Sequence, residues 1–370
     1  MSRMNVFTTN QPKQRQVNIE LLRIVAMFMV VVLHCNAFNL KNTDPLTLNW
    51  FAVWLLENLS IVAVNCYLLI SGYFLITSEF RWKKLFSIWL QVIFYSIGFY
   101  VVIGLIYGWE SFITLIYSIF PVSTRSYWFA TTYLVLYALS PFLNIAIKAM
   151  SKLQMQCSIL VLIIIFCIWP SVVYPYVQVT IDPSHGHGII WFVVLYAIAA
   201  YLRLYNPRKR YSKLYLLGYL FITAVAMLLL FLNQIVYFPW IDVLLYYNSM
   251  GVFFSSLLLF EFFLTVKINN IKVNKIVPII SSLTFGVYLI HENFLVREHL
   301  YTDILDIPSY ANTSMQIIYT IGSAILIYVI ASLIEFLRQK LFARLRIDVL
   351  AQKMDHWVTS KITRLKSYLI

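Results

Sequence analysis

The sequence predicts an all-α fold, a polytopic membrane helical bundle of about ten transmembrane helices with both termini cytoplasmic. Three observations carry that prediction. Of the 370 residues, 61% are hydrophobic and only 12% charged, about half the charged share of a soluble domain. The apolar residues fall in repeated runs of roughly 20, each long enough to cross a hydrocarbon core of about 30 Å. The basic residues fall on alternate sides of those runs.

Read in order, spans are expected near 17–39, 50–76, 85–107, 126–147, 154–175, 189–205, 214–236, 245–266, 277–296 and 313–337. The first follows a basic lead-in (Lys13, Arg15), as a signal peptide would. It is too long for one, contains Arg23 and lacks a small-residue cleavage site, so it is expected to be retained. The second carries Ser71-Gly72 before its end, and Ser140-Pro141 and Trp169-Pro170 interrupt the fourth and fifth. Residues 110–120 are apolar but short, an outer amphipathic or re-entrant piece. The tail sets Leu341, Leu345, Leu350, Met354, Val358, Ile362 and Leu365 among Lys and Arg, the pattern of an amphipathic helix on anionic lipid. The expected organisation is a cytoplasmic segment 1–16, a membrane domain 17–337 and a basic amphipathic cytoplasmic tail 338–370.

If successive spans alternate in direction, 24 of the 28 Lys and Arg residues share one side with the two termini. Only Lys41, Arg125 and Arg297 fall opposite, and Arg23 lies within a span. The positive-inside rule makes the basic side cytoplasmic. The net charge of +13 is then a matter of topology and requires no nucleic acid. Four cysteines (Cys35, Cys66, Cys157, Cys167) lie in apolar segments without a CxxC pair, which argues against disulfides and zinc fingers. His185-Gly186-His187, with only Asp182 nearby, is a weak metal motif, and no metal is expected.

The chemistry-bearing residues begin in the first span. Arg23 and His34 are eleven residues apart, close to three helical turns, so both project from one face about 16 Å apart along the axis. A charge inside a membrane helix is costly and marks an interior polar site. Glu20, three residues before Arg23, is spaced for an ion pair. Snorkelling of Arg23 to the interface beside Glu20, and an interfacial role for His34, are the competing readings. In the second span Glu57 requires a partner, a proton or a cavity, whereas Asn58 and Asn65 equally suit helix–helix hydrogen bonding. Near the end of the ninth span, His291 reaches about the depth of His34, and two imidazoles at one level can line one cavity. Histidine is the natural general base near neutral pH. A polar stripe of this kind also suits a transporter or flippase for a saccharide or lipid-linked saccharide, although no half-length repeat is present.

The arginine–histidine spacing resembles the first helix of the integral-membrane acyltransferase type 3 family. Leu69-Ile70-Ser71-Gly72-Tyr73-Phe74-Leu75-Ile76, Arg81-Trp82-Lys83-Lys84-Leu85, Trp128-Phe129-Ala130-Thr131-Thr132-Tyr133-Leu134-Val135-Leu136-Tyr137 and Gly286-Val287-Tyr288-Leu289-Ile290-His291 extend the resemblance over roughly residues 16–337. The resemblance implies that 17–337 is an acyltransferase domain of the stand-alone kind. It implies a multi-pass protein of the cell membrane, a bacterial plasma membrane, embedded in lipid. Its activity would move an acetyl group from cytoplasmic acetyl-CoA to a hydroxyl of a cell-surface or lipid-linked carbohydrate. On that reading His34, Arg23 and Glu20 form the catalytic set. His291, Glu57, Asn65 and Tyr133 are substrate-binding candidates, and Arg23, Arg81, Lys83 and Lys84 would hold the donor. Lysines stand where the family has arginines after the second span, which keeps the charge and loses bidentate geometry.

Overall fold

The computed structural model describes residues 16–173, 176, 184–205, 211–237 and 241–369. The segment expected to precede the membrane domain falls outside these residues except for Gln16. All regular elements among the described residues are helical. In chain order they are α1 (Val17–Asn42), α2 (Leu48–Ser60), α3 (Ala63–Leu75), α4 (Trp82–Tyr107), α5 (Phe112–Ile119), α6 (Trp128–Ala149), α7 (Lys152–Ile163), α8 (Trp169–Val173), α9 (Ile189–Tyr205), α10 (Ser212–Asn233), α11 (Met250–Thr265), α12 (Ile271–His291), α13 (Gln316–Arg344) and α14 (Ile347–Leu369). Nine stretches among the described residues are long and apolar enough to span a membrane, with α9 a shorter apolar helix. These ten helical stretches fall where the ten spans are expected, nine of them long enough to cross. The short piece after α4 is the small, exposed α5.

Helix α1 is the hub, packing against α2, α3, α11, α12 and α13. Its run of Leu, Val, Met and Ala contains neither Gly nor Pro, and it stops where the Thr43 N–H and Oγ1 both donate to the Asn39 carbonyl. The start of α4 meets α14, where the Lys83 N–H donates to Asp355 Oδ1 at 3.1 Å. This end of the bundle, which also holds Glu20 and Arg23, is the basic face; His34 and Thr43 lie toward the opposite face.

Two spans are irregular, the second unexpectedly and the fifth beside the expected Trp169-Pro170 interruption. The second is broken at Ile61-Val62, where the Tyr219 hydroxyl donates to the freed Leu59 carbonyl at 2.6 Å. The fifth passes through a π-helical turn over Ile164–Ile168 before Pro170. Proline has no N–H for the carbonyl four residues back, and Asn248 Nδ2 supplies that donor to Phe166 O at 3.1 Å. Pro141 in α6 presents the same problem, and the Ser140 hydroxyl donates to the orphaned Tyr137 carbonyl.

Gly72 sets the spacing of α3 and α9, since a Cβ there would lie 2.9 Å from both Cα and O of Tyr196. Backbone cannot yield as a side-chain tip does, so Gly72→Ala should cost about 1–3 kcal/mol. Thermal unfolding of the purified protein checks this, and an unchanged midpoint would refute it.

Helix α13 runs through 338 to Arg344, and the turn comes at Arg346, whose φ is +53°. Arg338 is held in the bundle: its guanidinium pairs with both carboxylate oxygens of the buried Glu335, at 2.6 and 2.8 Å. Helix α14 does follow, with Leu350, Trp357 and Ile362 exposed along it.

Candidate active site

A cavity of about 310 Å³ opens between α1, α3, α4, α6 and α12. Besides Leu33, its α1 wall is Arg23, Met27, Val30 and His34, spaced i, i+4, i+7, i+11, which is one face of a helix. Tyr67 and Ser71 of α3, Lys84, Ile88 and Gln91 of α4, and Ser281, Thr284 and Tyr288 of α12 repeat that spacing on the facing helices. The arginine and the histidine thus lie at separate levels of one continuous space.

At the basic end, Arg23 Nη1 donates to Glu20 Oε2 at 2.7 Å and lies 3.4 Å from the Ser281 hydroxyl. Ser281 in turn donates to the same carboxylate oxygen. Tyr67 hydrogen-bonds the Arg23 carbonyl at 2.9 Å, tying α3 to α1 at this level. The Arg23 side chain stays 28% exposed, so with five N–H donors it retains some for a ligand. Glu20 is buried and holds the arginine on the cavity wall. A second recess of about 490 Å³, lined also by Arg338 and Gln339, shares Lys84, Ile88 and Gln91 with the cavity.

At the other end the two histidines meet. His291 is fully buried and places Nδ1 2.5 Å from the Val287 carbonyl, one turn back on its own helix. A carbonyl only accepts, so these hydrogen bonds assign the proton to Nδ1 and leave Nε2 a lone pair in the neutral ring. That nitrogen sits 3.0 Å from His34 Nδ1. His34 therefore donates through Nδ1, and its Nε2 is the unprotonated nitrogen left for the cavity. Glu292 Oε1 lies 3.1 Å from the same His34 Nδ1 and makes no hydrogen bond of its own. A carboxylate there stabilises the ring once it becomes an imidazolium. Arg297 approaches the other oxygen of Glu292 at 3.4 Å. The end of α12 is latched in place, since Tyr127 donates to the Leu289 carbonyl and receives the Asn293 amide at 2.7 Å.

An aromatic group encloses the cavity near His34. Trp128 and Tyr247 stack at 6.0 Å with 21° between their planes, and His187 lies against both, at 4.6 and 4.7 Å. His185 stacks instead on Tyr246, so the two histidines of that loop diverge.

The structure sorts the sequence candidates. Arg23, His34, Lys84 and Tyr133 line the cavity, with Glu20 directly behind Arg23. His291 does not face it; burial places this ring behind His34, where it fixes the tautomer. Asn65 is also outside. Its Nδ2 donates to the Tyr247 carbonyl and its Oδ1 accepts from Trp191 Nε1, so it holds the Tyr247 wall in place. Glu57 is buried against the Asn36 amide at 3.0 Å, away from the cavity. Arg81 and Lys83 lie off the wall; the Lys83 ammonium is 3.9 Å from Asp348 of α14. Sequence reasoning missed Glu292, although it directly follows His291 in the same motif. It also missed Tyr247, which sits in a connection with no periodicity to reveal it.

These features define a membrane-spanning helical protein with an internal cavity, an anchored arginine at one end and a tautomer-fixed histidine at the other. The acyltransferase domain family of type 3 matches residues 16–334. The chain belongs to that family and is a membrane acyltransferase. No curated protein and no solved structure gives a significant match.

Proposed function

We propose that this protein is an O-acetyltransferase of the bacterial cell envelope. It would draw acetyl-CoA from the cytoplasm at the basic face and modify a hydroxyl of a cell-surface or lipid-linked carbohydrate. The observation that supports this reading is the single cavity joining Arg23 and Lys84 at one end to His34 at the other. The donor supplies a thioester-activated acyl group. Lys84, Arg23 and the adjoining recess fit its phosphates and polar arm, because they put cations and amide groups where a ligand enters from the basic face. The rings of Trp128 and Tyr247 suit the C–H face of a sugar.

His34 takes the acceptor hydroxyl proton at Nε2 as the new C–O bond forms. It returns that proton to the departing sulfur as the C–S bond breaks, so the ring ends as it began. His291 holds Nδ1 in the donating role throughout, and Glu292 offsets the transient positive charge. Trp128, Phe129, Tyr133 and Tyr288 line the reaction space with rings that exclude bulk water, which disfavours hydrolysis of the thioester.

The direct test incubates purified protein with acetyl-labelled CoA and envelope glycans and follows label in the glycan. Comparison of surface-polysaccharide acetyl signals by NMR, with and without the gene, identifies the acceptor. Label that stays on CoA with every glycan, together with unchanged NMR signals, would overturn the reading. For the donor end, Arg23→Ala should raise KM for acetyl-CoA about 10- to 100-fold, the equivalent of one charged hydrogen bond, with Arg23→Lys intermediate. An unchanged KM removes Arg23 from the donor site.

A further inference from the structure

We infer that His34, His291 and Glu292 form a zinc site whose occupation switches the enzyme off. One ligand atom from each of the three residues lies within 4.8 Å of the other two, and His34 Nδ1 faces both His291 Nε2 and Glu292 Oε1. Two of the edges are 3.0 and 3.1 Å. Tetrahedral zinc with bonds of about 2.0–2.1 Å needs ligand separations of about 3.3 Å, so small side-chain adjustments close the triangle. Two imidazoles and a carboxylate suit a borderline-soft divalent ion such as Zn²⁺.

Two further features point to a ligand. Glu292 Oε1 is buried without a hydrogen-bond partner and faces the two ring nitrogens, in a side chain only 9% exposed. His291 already has the orientation of a metal ligand, since its Nδ1–H is engaged by the Val287 carbonyl and its Nε2 lone pair is directed at His34 Nδ1, whose proton a metal would replace. Arg297, 3.4 Å from the other Glu292 oxygen and 47% exposed, places the triad next to the surface of the opposite face.

The inhibitory consequence rests on the proposed role of His34; the binding itself does not. A metal on Nδ1 replaces the proton there, and the neutral ring then keeps its one proton on Nε2. The lone pair that accepts the acceptor's proton is gone, and Nε2 becomes a donor. No redox change or additional reactant is involved.

The experiment uses the full chain, purified in detergent and stripped with a chelator. Co²⁺ alone is titrated as a spectroscopic probe, then displaced by Zn²⁺. The expected result is one equivalent giving the visible absorption of four-coordinate cobalt. Affinity should fall at least about tenfold in His291→Ala and in Glu292→Gln but not in His187→Ala. Size-exclusion profiles establish that the variants remain folded. Absence of the cobalt absorption in wild type, or its persistence in both ligand variants, overturns the site. Zn²⁺ should also lower the initial transfer rate, with recovery on chelation; a metal-bound enzyme at full rate overturns the switch. If no transfer is found under any condition, the cobalt titration still decides the site, so the two readings fail separately.

Discussion

Replacing His34 with glutamine should lower kcat by about 10²–10⁴-fold, the range for loss of a positioned general base. The KM for acetyl-CoA should stay near its wild-type value, because the donor's charged groups are proposed to bind some three turns away, at Arg23 and Lys84. Glutamine has a similar reach and can still hydrogen-bond His291, so the bundle should keep its thermal midpoint. His291→Ala should show a smaller drop in kcat, again with little change in KM. It leaves the base in place but frees it to adopt the wrong tautomer. Radiolabelled acetyl transfer, measured over a range of acetyl-CoA concentrations, reads both parameters. A His34→Gln protein that folds normally and transfers acetyl at wild-type rate would remove the imidazole from the chemistry.

The largest expected effect on stability lies at Glu335. This carboxylate is fully buried in α13 and accepts from Arg338, Tyr95 at 2.7 Å, Gln91 at 3.2 Å and Gln339 at 2.9 Å. Arg338→Ala removes the only cation among these partners and strands a charge in the bundle, which costs about 3–5 kcal/mol. Replacing both members, Glu335→Met with Arg338→Leu, should recover most of that loss, because no unpaired charge is left. Thermal unfolding of the single and double variants in one detergent measures the difference. Equal midpoints for Arg338→Ala and wild type would show that the pair contributes nothing. The network also borders the site: Gln91 and Lys84 line both the cavity and the recess. Loosening it should therefore raise the KM for the donor as well.

Much of the site can be read along single helices. Arg23, Met27, Val30 and His34 share a face whatever surrounds α1, because helical periodicity is a local property. Glu20 is within reach of Arg23 for the same reason. Asn65 and Glu57 show where such reading stops. Each is a polar residue in an apolar span, and nothing in α2 or α3 distinguishes facing a cavity from facing Tyr247 or Asn36. Helix rotation decides that, and rotation is set by packing such as the close approach of Gly72 to Tyr196. The break at Ile61-Val62 was equally hidden, since the group that takes up the Leu59 carbonyl is Tyr219, 160 residues away.

The sequence by itself determined the class: ten apolar crossings, a strong asymmetry of basic charge and one helix carrying an arginine and a histidine on a common face. Hydropathy and periodicity suffice for this because they depend only on neighbours in the chain. Tertiary structure alone decided what those residues do. It set His291 and Glu292 against His34, put Arg23 in the grip of Glu20 and Ser281, and assigned a proton to one ring nitrogen. Those are contacts between helices far apart in sequence, fixed by how the bundle packs.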